Sequence, residues 1–231
     1  MKGKYILITG GTGDLGRSVT ARIARTGADI YLPYRKEGDL KRLRAEMGED
    51  LFDHVAAVKA DLLSEEVVAN LVQTMPAVHI LIHLMGGFAM ADTADTTRSG
   101  WQAQIDLNLT SAFLLIKHCL GPMQKQKFGR IVTIGSRAAV DAPGGMAAYV
   151  ASKAGLVALT RSVSSEFRGQ NITANVLLPS VIDTEANRSS MGGKNADHWV
   201  KTESLADVIA FLISKAADDI RGAVIPVYGG V

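Results

Sequence analysis

Seven short, nearly all-apolar runs recur along the chain, at 4–9, 28–34, 54–60, 78–84, 129–135, 172–178 and 221–228. Runs of this kind suit strands that are covered on both faces. Stretches with helical spacing lie between them, among them Leu15, Val19, Ile23 and Val67, Val68, Leu71, Val72. Two longer ones cover about 101–126 and 148–168. Few folds satisfy such alternation. Parallel strands need crossover connections, and crossovers of one hand put helices on both faces of a sheet. The expectation is an α/β fold, a doubly wound parallel sheet of about seven strands. At 231 residues the chain suits one domain over 1–231 rather than two small ones.

Charge and composition narrow the partners. The net charge of +2 is too small for a nucleic-acid binder, and no apolar stretch approaches a membrane span. Lys41, Arg42 and Arg44 read as a solvated helix face. The single cysteine, Cys119, sits in an apolar run and reads as a buried thiol in a reducing compartment. The apolar run at 5–8 is too short for a signal-peptide core, so a soluble, cytoplasmic protein is expected. No metal site is expected. The stretch 183–202 holds Gly192, Gly193 and Asn195 and few apolar residues, and reads as a lid over a substrate.

The first strand runs into Thr9-Gly10-Gly11-Thr12-Gly13-Asp14-Leu15-Gly16, and a helical pattern follows at once. Glycines let a backbone approach a ligand closely, and a helix N-terminus presents free N–H groups to a pyrophosphate. Position after strand one and before helix one makes this a dinucleotide loop. The second strand ends at Tyr34-Arg35-Lys36, with no acid at 33 to 36 to hold a ribose 2′-hydroxyl. The Arg35 fork suits a phosphate monoester, so NADP is expected, with NAD the alternative. Asp61, after the third strand, is placed for the adenine amino group. Asp14 could cap the helix, but pointed inward it would repel a phosphate.

Tyr149 and Lys153 are four residues apart, on one face of a helix. A nearby ammonium favours phenolate, so the expectation is a Tyr149 pKa below its ordinary value and a proton donor near neutral pH. Ser136, at the end of the fifth run, can hydrogen-bond the oxygen that takes that proton. Asn108 could hold a water that relays protons. His83 reads as a satisfied core histidine.

The order Asn108, Ser136, Tyr149, Lys153, together with the glycine loop, Asp61-Leu62, Asn175 and Pro179 to Thr184, resembles the short-chain dehydrogenase/reductase family over nearly the whole chain. The resemblance implies a Rossmann-type sheet, catalysis by Asn108, Ser136, Tyr149 and Lys153, and a homotetramer or homodimer built on the two long helices. It also implies a cofactor held by Gly10, Thr12, Gly13, Asp14, Leu15, Gly16, Arg35, Asp61, Leu62, Gly86, Tyr149, Lys153, Pro179, Ile182 and Thr184. The expected reaction moves a hydride between NADP and a small carbonyl or alcohol substrate, whose apolar pocket is lined by Met146, Ser180, Met191 and Trp199. Three departures stand out: Asp14 in the glycine loop, His83-Leu84-Met85-Gly86 where the family has Asn-Asn-Ala-Gly, and Ser180 after Pro179. Met85-Gly86-Gly87-Phe88 and the loop at 10–13 resemble the quinonoid dihydropteridine reductase branch, although Ser136 and Arg35 do not fit it. That branch, a 3-oxoacyl-carrier-protein reductase-like ketoreductase and a non-catalytic NADP sensor are the alternatives.

Overall fold

The computed structural model describes residues 1–230. Its seven strands are β1 (Tyr5–Thr9), β2 (Asp29–Tyr34), β3 (Val55–Lys59), β4 (Ile80–His83), β5 (Gly129–Ile134), β6 (Ile172–Pro179) and β7 (Val224–Val227). All pair in parallel, in the order β3-β2-β1-β4-β5-β6-β7. Each of the seven apolar runs holds one strand. The helices are α1 (Asp14–Ala24), α2 (Glu37–Met47), α3 (Glu49–Phe52), α4 (Glu65–Thr74), α5 (Arg98–Ile105), α6 (Ser111–Lys125), α7 (Ala138–Asp141), α8 (Ala147–Glu166), α9 (Glu185–Met191) and α10 (Thr202–Leu212).

Strand side chains alternate between two cores because successive Cβ atoms point to opposite faces. Ile6, Ile8, Ile80 and Ile82 enter one core, with Val19 and Ile23 of α1 and Leu205 and Ile209 of α10. Leu7, Leu81 and Ile131 enter the other, with Leu71 of α4, Leu115 and Cys119 of α6 and Val163 of α8. Both faces of the sheet are thereby dry, which is why the strands read as unbroken apolar runs.

Local chemistry sets the helix ends. Ser64 accepts from the Val67 N–H and caps α4, with Glu65 and Glu66 in its first turn. Gly13, not Asp14, is the cap residue of α1. The stretch expected to be one helix over about 101–126 is interrupted. Between α5 and α6, Asp106–Thr110 forms a π-helical turn with Asn108 inside it. Such turns insert a residue into a helix and are common at functional sites.

The strand order reverses between β1 and β4, and the carboxyl ends of these strands mark the crevice where ligands bind in sheets of this kind. A side chain at Gly10 would meet the Met85 backbone N at 2.8 Å, so the two loops leaving the switch point touch.

Candidate active site

The glycine loop is built for close approach. Gly10 has φ +68°, its carbonyl accepts from the Gly13 N–H at 3.1 Å, and any side chain at Gly16 would collide with that carbonyl. Beyond the loop lies a cleft of about 290 Å³. Gly10, Thr12 and Gly13 line it at one end, Tyr34, Arg35 and Lys36 at the β2 end, and Leu62 and Gly86 elsewhere. Arg35 and Lys36 are exposed there. Asp61 is not part of the lining. Its carboxylate accepts from the Leu63 N–H at 3.1 Å and shapes the turn after β3, while its neighbours Ala60 and Leu62 face the cleft.

Asp14 neither caps α1 through its side chain nor stands alone. Its carboxylate pairs with Arg17 at 2.8 Å. Arg17 also pairs with Glu46, Glu46 with Arg42, and Arg42 with Glu185 at the start of α9. The arginine neutralises the acid that the sequence places in a phosphate loop.

Beside the cleft, α8 carries Tyr149 in its first turn and Lys153 one turn later. Lys153 is 5% exposed and donates to the Ile134 carbonyl at 2.9 Å, at the end of β5. Burial lowers its pKa to about 8. The Tyr149 phenol moves the other way. Burial raises its pKa, and a hydrogen bond with Ser136 opposes the rise. This corrects the expected depression. The Lys153 ammonium is 6.0 Å from the centre of the Tyr149 ring, and loss of solvent outweighs any help from it.

Asn108 is fully buried and its side chain is occupied. Its Oδ1 accepts from the Gly87 N–H and its Nδ2 donates to the Gly87 carbonyl, both at 3.0 Å, with Gln104 a further acceptor at 3.3 Å. The side chain therefore ties the loop after β4 to the π-turn. A Cβ at Gly86 would lie 2.8 Å from Asn108 Oδ1 and 3.0 Å from Lys153 Nζ, so these three residues meet at one point.

The expected substrate pocket does not assemble from its four residues. Trp199 is 7% exposed and belongs to the interior. Ser180 donates to the Tyr228 carbonyl at 2.6 Å. Met191 is exposed, and Met146 lines a small cavity of about 140 Å³ with Met90 and Gln104. Pro179 ends β6 and accepts through its carbonyl from the Arg137 N–H. Ile182 bridges to Val200, and the Thr184 hydroxyl caps α9. The stretch 183–202 is thus not wholly irregular. It holds α9 and a short 3₁₀ turn at Ala196–His198, with Asp183 paired to both Arg188 and Lys201. Those two cations hold the Asp183 carboxyl well below the usual carboxylate range.

Sequence reasoning missed three contributors. Phe88 packs edge-on against Tyr149, ring centres 5.0 Å apart, while remaining 58% exposed. Gly87 is the backbone partner of Asn108. Gln104 stands four residues before Asn108, a helical spacing that could have marked it.

The switch-point crevice and the pair of half-buried Tyr149 and buried Lys153 beside it define a class, the doubly wound α/β oxidoreductases. Comparison with known proteins narrows this. Residues 4–194 match the family model for short chain dehydrogenases. The chain belongs to the short-chain dehydrogenase/reductase family. It is 32% identical to the 3-oxoacyl-[acyl-carrier-protein] reductase MabA of Mycobacterium tuberculosis, over 99% of this chain and 92% of that protein. It is 29% identical to the reductase FabG of Rickettsia felis, over 100% and 98%. An oxidoreductase of the same family from Burkholderia thailandensis superposes with a TM-score of 0.89 at 28% identity, covering 100% of this chain and 93% of that one. Among the described residues no helix is long and apolar enough to cross a membrane, and no cluster of potential metal ligands occurs.

Proposed function

We propose that the protein is an NADPH-dependent reductase of small carbonyl compounds, with a 3-oxoacyl thioester the substrate class its relatives favour. The observation that carries this reading is the convergence of Tyr149, Ser136 and Lys153 on the end of β5, beside a cleft whose wall leaves no room for a side chain at Gly10. The fit to a dinucleotide rests on that wall and on the open β2 end with Arg35 and Lys36, whose charge suits a 2′-phosphate. When bound, the nicotinamide supplies the hydride.

The chain's own groups do the rest. Tyr149 Oη gives its proton to the substrate oxygen as that oxygen becomes an alcohol. Ser136 Oγ, already bonded to Tyr149, orients the carbonyl. Lys153, anchored by the Ile134 carbonyl, places a positive charge behind the phenol and holds ribose hydroxyls. Asn108 fixes the Gly86–Gly87 backbone beside both. Phe88 shields one edge of the phenol from water. Exposed Phe88, Met90 and Val140 offer apolar surface to a substrate chain, and the segment 183–202 acts as the lid.

The test is Tyr149→Phe, assayed with NADPH and an acetoacetyl thioester. Turnover falls at least about 100-fold, the scale of general acid catalysis, while NADPH binding stays near wild type. Wild-type turnover in this variant would put the proton donor elsewhere.

A further inference from the structure

His83 stands where the family has an asparagine, at the end of β4 and 1% exposed. Both ring nitrogens have partners. Nδ1 lies 2.9 Å from Thr9 Oγ1, at the base of the glycine loop. Nε2 reaches Ser111 Oγ at 3.5 Å. Ser111 Oγ in turn donates to the Leu107 carbonyl at 2.8 Å, inside the π-turn that carries Asn108. Since the serine proton is committed to Leu107, its oxygen can only accept from the ring. Nε2 therefore carries the proton, and Nδ1 accepts from Thr9. The charged group that faces His83 is Lys153. Burial keeps the ring neutral, with its pKa lowered to about 3, and a protonated ring would also oppose the ammonium.

We propose that His83 is a positioning residue that couples the glycine loop to the Asn108 turn through its two ring nitrogens. The inference rests on the function proposed above. One neutral imidazole joins the ends of β1 and β4 to the start of α6. Asn108 ties the π-turn to the loop that follows β4, and His83 adds a link from the turn to the strand ends themselves. Loss of the link lets the turn drift, and with it Asn108, Gly87 and the gap in which Lys153 sits. Misplacements approaching 1 Å in such a site cost on the order of 100-fold in rate.

The experiment compares His83→Leu, His83→Gln, Ser111→Ala and the His83→Leu/Ser111→Ala double variant, using NADPH and an acetoacetyl thioester. His83→Leu is expected to lower kcat about 10- to 100-fold while the Kd for NADPH changes less than about threefold, and to raise the solvent deuterium isotope effect on kcat as proton delivery becomes slower. The His83→Gln amide can donate and accept, and is expected to recover most of the loss. The double variant should be no worse than His83→Leu, because both break one link. Wild-type kcat in His83→Leu would overturn the proposal, as would additive effects in the double variant. Parallel losses of kcat, cofactor affinity and Tm, unrelieved by glutamine, would reduce His83 to a core filler. If His83→Leu fails to fold, Ser111→Ala decides: an unchanged kcat and isotope effect overturn the coupling. Wild-type turnover and its loss in Tyr149→Phe test the function separately, so failure here leaves that reading intact.

Discussion

Gly86→Ala is the smallest change that reaches the heart of the proposed site. The added Cβ meets Asn108 Oδ1 at 2.8 Å and Lys153 Nζ at 3.0 Å, and its three nearest neighbours are all side-chain atoms. Ordinary contact begins near 3.4 Å, so the two side chains must give way by about half an ångström. Neither can do so freely. Asn108 is held by the Gly87 N–H and carbonyl, and Lys153 by the Ile134 carbonyl. If a 1 Å misplacement costs on the order of 100-fold, half of that costs about 10-fold in kcat, or about 1.4 kcal/mol of barrier. Steady-state NADPH oxidation gives kcat, and fluorescence titration gives cofactor affinity. The expected result is a kcat near one-tenth of wild type in a protein that folds with near-normal Tm. Full kcat would mean that Asn108 and Lys153 need not hold their places, and the reasoning would fail.

Four further outcomes are expected. Arg35→Ala should weaken NADPH about 10- to 100-fold and leave NADH nearly unchanged, as for loss of one charge-assisted contact; equal effects on both cofactors would remove Arg35 from a phosphate role. Because burial holds the Lys153 pKa near 8, kcat/KM for carbonyl reduction should decline as pH rises through about 8; a level profile across that pH would show that the Lys153 charge does not control the step as proposed. The same depression means that between about 8 and 10.5 the unfolded chain keeps a proton the folded chain has released, so this group's contribution to folding stability improves as pH rises across that window. Leu115→Ala, at a fully buried position on α6, should cost about 2–5 kcal/mol in urea denaturation; a loss under about 1 kcal/mol would mean that the core closes over the gap.

The sheet was legible because strands dry on both faces must be apolar throughout, and the runs holding Ile6–Ile8 and Ile80–Ile82 could be little else. The glycine loop was legible for a related reason: backbone crowding at Gly10 and Gly16 is written in residue type. Spacing alone put Tyr149 and Lys153 on one helical face. The helix α9 was not legible. It buries no side chain, and it stands on the Thr184 cap and on ion pairs reaching as far as Arg42. A periodic apolar pattern cannot announce a helix without an apolar face.

By itself, then, the sequence determined the succession of strands, the parallel sheet and the ordered set of chemical groups along it, since these follow from local periodicity and residue type. Tertiary structure alone decided what those groups experience. Burial between distant segments raises the pKa of the Tyr149 phenol and lowers that of the Lys153 amine, Arg17 pairs with Asp14, and Asn108 of the π-turn bonds the Gly87 backbone after β4. Solvation and electrostatic fields sum over everything nearby in space, and nearness in space is what a linear chain does not record.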